Sequence, residues 1–414
     1  MLPLECQVPF EPARLEEFLA AIPPRPAVVL VEPRADLTGA RPLLLRTADL
    51  RRRLRLLLSP PEPGSKRVNL REYAAGVRYR LTGSPFEQAL VAWQQARALW
   101  PRVYRERLKL HPPALIKMNL TATYPRAYVT RRISPTGLHF GPFATRRAAE
   151  GFLQPLLDLF RIRRCQIKIR RDPAFPGCIY SEMKMCLAPC FAGCTAEEYA
   201  AEVNQVVEFL STSGASLTEE LTRARETASA GLDFERAAAQ HRRLEKVDAL
   251  RKGMPDLVRR LETLDALVLQ RGAAANSVAA YRVRGGRIVD PFLLRFDELA
   301  SQPRSAEDLL RGALESDNTA GQTVSENVCD DRSSNSSESN SNSRAELEDH
   351  LALLARWFYG RPRDGEIFYA EAKSDGWPYR RILRACARVL DASDRAEMAL
   401  DPLAHDRLGR RPHV

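Results

Sequence analysis

The alternation of apolar and polar positions divides the chain into a small α/β unit, a strand-rich centre and long helices. Residues 14–22 carry helical spacing and end at Pro23 and Pro24. Residues 27–31 form a β-branched run, 34–40 a turn with Gly39, and 42–45 a second short strand. Over 48–58, Leu50, Leu54 and Leu57 share one helix face and Arg51, Arg52, Arg53 and Arg55 the other, with Thr47 as the predicted N-cap. Pro60, Pro61, Pro63 and Gly64 stop that helix. Alternation predicts a strand over 77–81, and residues 85–99 read as an amphipathic helix ending before Pro101.

Strands are predicted over 117–123 and 126–132, with a turn at 134–137, and a helix over 146–160. Two long helices follow, over 196–211 and 217–250, separated by a polar hinge at 211–216. Leu217, Leu221, Ala224, Ala228 and Leu232 keep a three-four spacing. Strand signals return over 265–270, 277–283 and 288–296, with a hairpin turn at Gly285 and Gly286. Residues 319–344 are rich in Ser, Asn, Asp and Glu and nearly free of large apolar side chains, which predicts a disordered linker. Helices are predicted over 347–358 and 379–390. The fold class is α+β and multidomain: an α/β unit over 13–110, a cysteine-bearing centre over 114–195, a helical hairpin over 196–260, a β-rich connector over 264–314, the linker over 315–345 and a helical tail over 346–414.

Composition narrows the class. A 44% hydrophobic share of 414 residues suffices for cores and excludes a wholly disordered or fibrous chain. No apolar run approaches the ~18 residues of a membrane span. The N-terminus carries Glu5, Glu11, Glu16 and Glu17 where a secretory signal needs a basic and then an apolar region. A cytoplasmic protein without a membrane partner is expected, and its eight cysteines are then poor disulfide candidates. The net charge of +11 points to a polyanion. Arg dominates the cations and suits bidentate phosphate contacts, although a GC-rich genome explains the Arg excess equally well. No Gly-Lys-Ser/Thr phosphate loop occurs, so ATP use is not expected.

Four cysteines have the spacing Cys165-x12-Cys178-x7-Cys186-x3-Cys190, with Cys194 just beyond. Four thiolates complete the shell of zinc or of an iron–sulfur cluster, and spacing alone does not choose between them. Arg161, Arg163, Arg164, Lys168, Arg170 and Arg171 are expected to lower the thiol pKa values. Farther on, Phe234, Ala237, Ala238 and Leu244 form an apolar stripe that packs within its own hairpin or meets a second helical hairpin.

The segments 124–132, 139–143, 159–165 and 185–190, in that order, resemble the centre of the UvrC family, the dual-incision nuclease subunit of bacterial nucleotide excision repair. Residues 232–244 resemble the UVR motif that docks onto UvrB in that family. The resemblance implies a four-iron, four-sulfur cluster on Cys165, Cys178, Cys186 and Cys190, with zinc as the alternative. It implies UvrB contact through Phe234, Glu235, Ala237, Ala238, Arg242 and Leu244, and DNA contact through Arg51, Arg52, Arg53, Arg131 and Arg132.

The N-terminal unit is similar to a GIY-YIG nuclease, whose chemistry needs tyrosines, an Arg against the developing phosphorane charge and a Glu holding one divalent metal. Here Val29 stands at the first tyrosine, Leu43 and Leu45 at the second tyrosine and its glycine, Leu57 at a further tyrosine and Ala92 at the metal-binding Glu. Arg53 matches the catalytic arginine, and Glu87, a turn upstream of Ala92, is not the expected ligand. Apolar side chains cannot move a proton or hold a metal, so a nuclease fold without its chemistry is expected, and Mg2+ is needed only if the nuclease is active. Residues 264–390 resemble only the approach to the family's second nuclease, so no second active site is expected. The expected function is DNA and UvrB binding with 3′ incision lost or reduced. The alternatives are an active single-incision endonuclease using Arg53 and a cluster-dependent DNA-binding regulator.

Overall fold

The computed structural model describes residues 2–60, 64, 67–299, 305–320, 335–370 and 376–400. Strands β1 (Cys6–Pro9), β2 (Ala27–Pro33), β3 (Leu43–Thr47) and β4 (Ala74–Leu81) make an antiparallel sheet in the order β1-β4-β2-β3. Helices α1 (Leu15–Ala21) and α2 (Leu50–Leu58) cover one face, and α3 (Pro85–Leu99) covers the other. The leucine stripe of α2 is buried as its spacing predicts, through Leu50, Leu54, Leu57 and Leu58. Each such side chain contributes on the order of 2 kcal/mol by leaving water. The cap differs from expectation. Asp49 accepts the Arg52 N–H at 2.9 Å, and Thr47 Oγ1 receives the Asp49 N–H at 3.2 Å. Asp49 is two residues nearer the helix, so its carboxylate reaches the first free amides.

A short helix, α4 (Tyr104–Arg107), leads into the second sheet. Its strands are β5 (Ala114–Met118), β6 (Ala127–Thr130) and β7 (Leu138–Phe143), with β8 (Arg259–Arg260) returning much later to give the order β6-β5-β7-β8. Helix α5 (Arg146–Leu159), a one-turn α6 (Ile179–Glu182) and α7 (Ala196–Ser211) follow. Phe140, Phe143, Phe160, Tyr199 and Phe209 are fully buried in this unit's core. The helix expected over 217–250 is two helices, α8 (Ala215–Ala230) and α9 (Phe234–Gly253). Gly231 ends α8, Leu232 turns at φ +58° and Asp233 caps α9 by accepting the Arg236 N–H at 3.0 Å. The three-four stripe runs through this turn, so periodicity alone hides it.

The third sheet joins β9 (Ala266–Arg271), β10 (Ser277–Arg284), β11 (Arg287–Ile288) and β12 (Phe292–Arg295) to β13 (Glu366–Tyr369). Helices α10 (Phe296–Leu299), α11 (Ala306–Ala320), α12 (Asn335–Phe358) and α13 (Tyr379–Leu400) accompany it. Because β13 pairs with β9, the boundary between 264–314 and 346–414 does not separate two packing units. The expected linker meets helix at both ends. Residues 315–320 lie in α11 and 335–345 in α12, while 321–334 lie outside the described residues. Polar contacts engage the start of α12 where apolar ones are scarce: Arg97 donates to Asn342 at 2.7 Å and pairs with Glu346 at 3.3 Å.

The first unit docks closely on the third sheet. A Cβ on Gly83 would meet Gly272 backbone at 2.2 Å, so only glycine permits this approach. Helix α12 fills the angle between them. Buried Asp349 accepts from Trp93 Nε1 at 3.1 Å and from Tyr104 Oη at 2.5 Å, and lies 2.7 Å from Arg105 Nε. The neighbouring His350 packs edge-on to Trp93 at 4.6 Å, and its Nδ1 accepts the Ile288 N–H at 3.1 Å. Accepting at Nδ1 requires the neutral ring. Burial, with lesser contributions from Arg287 and Arg97 against Glu346 and Asp290, lowers the His350 pKa from 6.5 to about 4.

The depressed folded-state pKa means that the unfolded chain takes up a proton first as pH falls below about 6.5, and stability drops until about pH 4. Denaturation at pH 4.5 should therefore show stability lower than at pH 7 by about 2–3 kcal/mol from this residue. His350→Gln should remove that share of the pH dependence. Identical pH profiles for both chains would refute it.

Candidate functional site

The cysteine segment, 160–195, is a loop wrapped between α5 and α7. Tyr199 on α7 organises its start: its hydroxyl receives the Arg163 N–H at 3.0 Å and donates to Pro125 O at 2.8 Å. Glu202 accepts the Arg161 N–H at 2.6 Å. The later turns are held by Leu187 N–H to Arg161 O and Asp172 N–H to Cys190 O, both at 2.9 Å. Ala188 and Ala192 adopt left-handed backbone at φ +57° and +62°, which curls the loop around Cys190.

The curl gathers the four predicted ligands. Cys165, Cys178 and Cys186 are half-buried and Cys190 is buried, all as free thiols. Burial pushes the Cys186 thiol up to about 11, and Cys165, Cys178 and Cys190 add to the shift by their proximity. Cys190 is raised for the same reasons, with Cys178 and Cys165 as neighbours. The Ala188 N–H donates to Cys186 Sγ at 3.3 Å. The expected lowering by the arginines is not found at Cys186 and Cys190, both of which are raised. Arg163 donates to Tyr124 O and Ile167 O, and Arg164 to Leu157 O and Asp158, so their charge is engaged elsewhere and desolvation dominates. Cys194 packs into the middle core.

Among the described residues, no group of three or more His, Cys, Asp or Glu side chains is arranged so that it could hold a metal ion. The donor set nevertheless fits a thiolate-bound group in chemistry: four soft sulfurs within electrostatic reach of one another, one of them accepting a backbone N–H. The raised pKa values of Cys186 and Cys190 keep those two thiols protonated until a cation displaces the protons.

The expected nuclease positions split between two cores. Val29 is directly opposite Leu45 on β3 and Tyr79 on β4, and Leu43 is opposite Val31. Val29, Leu57 and Tyr79 are buried in the core under α1 and α2, with Leu43 and Leu45 packed against it. Ala92 belongs to the core on the other side of the sheet, with Val28. Glu87 is buried, accepts the Gly83 N–H at 2.8 Å and lies 3.7 Å from Arg80, so it serves the start of α3. Tyr79 is a tyrosine the motif comparison passed over. Burial raises its pKa, and the neighbouring Cys6 thiol adds to the shift. The alternation over 77–81 carries the signal that it faces this core.

The predicted DNA-contact residues also divide. Arg51 Nε donates to Ile22 O at 2.6 Å, tying α2 to the end of α1. The side chains of Arg52, Arg53, Arg131 and Arg132 form no hydrogen bond or ion pair among the described residues, and Arg52, Arg131 and Arg132 are exposed. On the hairpin, Leu244 packs against the middle core, whereas Phe234 is 67% exposed. Glu235, Ala238 and Arg242 are exposed and Ala237 half-buried. Leu232, outside the predicted contact set, is 73% exposed beside Phe234. The stripe is thus used at its far end by the hairpin itself and left open at its tip.

Residues 114–209, which contain β5, β6 and β7 of the second sheet, the cysteine loop and nearly all of α7, match the family described as "UvrC/Cho excinuclease, middle domain". The UvrABC system protein C of Moorella thermoacetica is 28% identical over 303 residues, 72% of this chain and 48% of that protein. The chain carries the middle domain of the UvrC family. The UvrABC system protein C of Ruminiclostridium cellulolyticum is 30% identical over 42% of the chain and 29% of its own length. That of Natronomonas pharaonis is 30% identical over 59% of the chain and 42% of its length. The chain spans less than half the length of these relatives. No solved structure matches it significantly. No helix among the described residues is long and apolar enough to cross a membrane.

Proposed function

We propose that this UvrC-family chain acts in cytoplasmic nucleotide excision repair as a DNA- and UvrB-binding protein whose 3′ incision is lost or much reduced. The observation that carries the reading is the apolar face of the first sheet. Val29, Leu43 and Leu57 stand where the nuclease needs tyrosines and pack into one core, and Ala92 lies in a different core. Arg53 without those partners can hold a phosphate but cannot activate water. The exposed Leu232 and Phe234 support a helical-hairpin partner at the tip of α8 and α9. Cys165, Cys178, Cys186 and Cys190 would hold an iron–sulfur cluster, which when bound cross-links the loop between α5 and α7.

The test mixes the purified chain with UvrA, UvrB, ATP, magnesium and a lesion-bearing duplex, and scores strand cutting together with UvrB retention. The expected result is UvrB retained and no 3′ cut. Phe234→Ser should weaken UvrB retention at least tenfold, as loss of an aromatic anchor does. A 3′ cut would overturn the loss of catalysis and favour the single-incision enzyme. Absence of UvrB retention would overturn the partner and favour the regulator.

A further inference from the structure

A groove of about 380 Å³ lies where the first unit, the second sheet and α12 meet. Its cationic lining consists of Lys109, Arg131 and Arg356, with His111 beside them, and no carboxylate lines it. Lys109 is held in left-handed backbone at φ +48°, an uncommon conformation for a residue with a side chain. Arg356 donates to Leu108 O and Lys109 O, so it has carbonyl partners but no acid. Arg46, exposed on β3, is near enough to add its repulsion to the burial that lowers the Arg356 pKa. The side chains of Arg46, Lys109 and Arg131 form no ion pair or hydrogen bond among the described residues. Small residues form much of the wall, including Ala144, Ala352, Ala355 and Gly360, so a ligand can approach the cations closely.

Some arginines elsewhere pair with acids at the surface, as in Arg146 with Glu150 and Arg388 with Glu366, whereas no acid lines this groove. Uncompensated cations converging from separate segments on one concavity repel one another, and an anion relieves that repulsion. We propose that this groove binds the phosphodiester backbone of duplex DNA, with Lys109 and Arg131 as direct phosphate contacts and Arg46 and Arg356 supplying field. The inference rests on the reading of the chain as DNA-binding and assigns part of that binding to this junction. It adds Arg46, Lys109 and Arg356 to the cations expected from sequence. Since α12 forms one wall, DNA here would touch the first unit, the second sheet and α12 together.

The test is fluorescence anisotropy of the full chain with a labelled duplex of about 30 base pairs over a series of salt concentrations. Lys109→Glu/Arg131→Glu should weaken binding at least tenfold at about 0.1 M salt and lower the salt slope by about two. Lys246→Glu/Lys252→Glu on α9 makes the same change of net charge away from the groove and should have a much smaller effect. Equal weakening by both pairs would assign the effect to net charge and overturn the groove. Wild-type binding left unchanged by Lys109→Glu/Arg131→Glu would overturn the groove while the DNA-binding reading stands. A wild-type chain that fails to bind DNA would overturn both. Inorganic phosphate forms a further arm. A rise in melting temperature that the groove variant abolishes, with DNA affinity unchanged, would assign a free anion and overturn the backbone proposal.

Discussion

Asp349→Ala is expected to lower stability by about 3 kcal/mol, within the range for removing one partner of a buried charged network. Asp349 is 1% exposed and collects a Trp93 indole N–H, a Tyr104 hydroxyl and the Arg105 guanidinium. Removing the carboxylate strands the buried Trp93 and Tyr104 donors and takes one acid from the partly exposed Arg105. Arg105 retains Glu348 at 3.4 Å and Ala345 O at 2.7 Å, which keeps the loss at the lower end of the range. Asp349→Asn preserves an acceptor and should recover part of the loss. Urea denaturation followed by tryptophan fluorescence reads the event, because Trp93 is part of the network. A loss below about 1 kcal/mol would mean that the network is replaceable by packing alone. The same variant should weaken the groove at Lys109 and Arg356, since α12 carries one of its walls.

Cys186→Ser/Cys190→Ser is expected to abolish bound metal and to expose the loop between α5 and α7 to protease. Serine oxygen is a poor substitute for a soft thiolate. The loop depends on few apolar contacts of its own, whereas structural metal sites in small domains contribute on the order of 10 kcal/mol. The core of Phe140, Phe160 and Phe209 should keep the second sheet and α7 folded, so the damage is local. Metal analysis of wild-type protein purified without oxygen decides the cofactor. Iron with sulfide supports the cluster, and zinc assigns the alternative. Wild-type protein without either, or a variant with undiminished metal and protease resistance, would refute the site.

Elements whose signal is local were legible in the sequence. Helix α3 occupies Pro85–Leu99 as predicted, with Ser84 receiving the Glu87 N–H, and α7 occupies Ala196–Ser211 behind a Thr195 cap. The cysteine spacing and the stripe of α2 were equally readable. Strand β1 was missed because four residues with mostly exposed side chains have no periodicity of their own and exist through pairing with β4. The break between α8 and α9 was missed because one left-handed residue interrupts a stripe that continues on both sides.

The sequence by itself determined which side chains are available: four thiols in one segment, apolar residues at the nuclease positions and an abundance of arginine. Those properties belong to residue identity and short-range spacing, which folding cannot alter. Only the tertiary structure decided which groups share an environment. It separated Ala92 from Val29 across a sheet, gave Arg51 to a backbone carbonyl and turned Arg163 and Arg164 away from the thiols they flank. It also joined β13 to β9, and brought Asp349 to Trp93 across 256 residues. Such pairings depend on chain closure over long separations, where burial and hydrogen-bond satisfaction choose partners that no local pattern names.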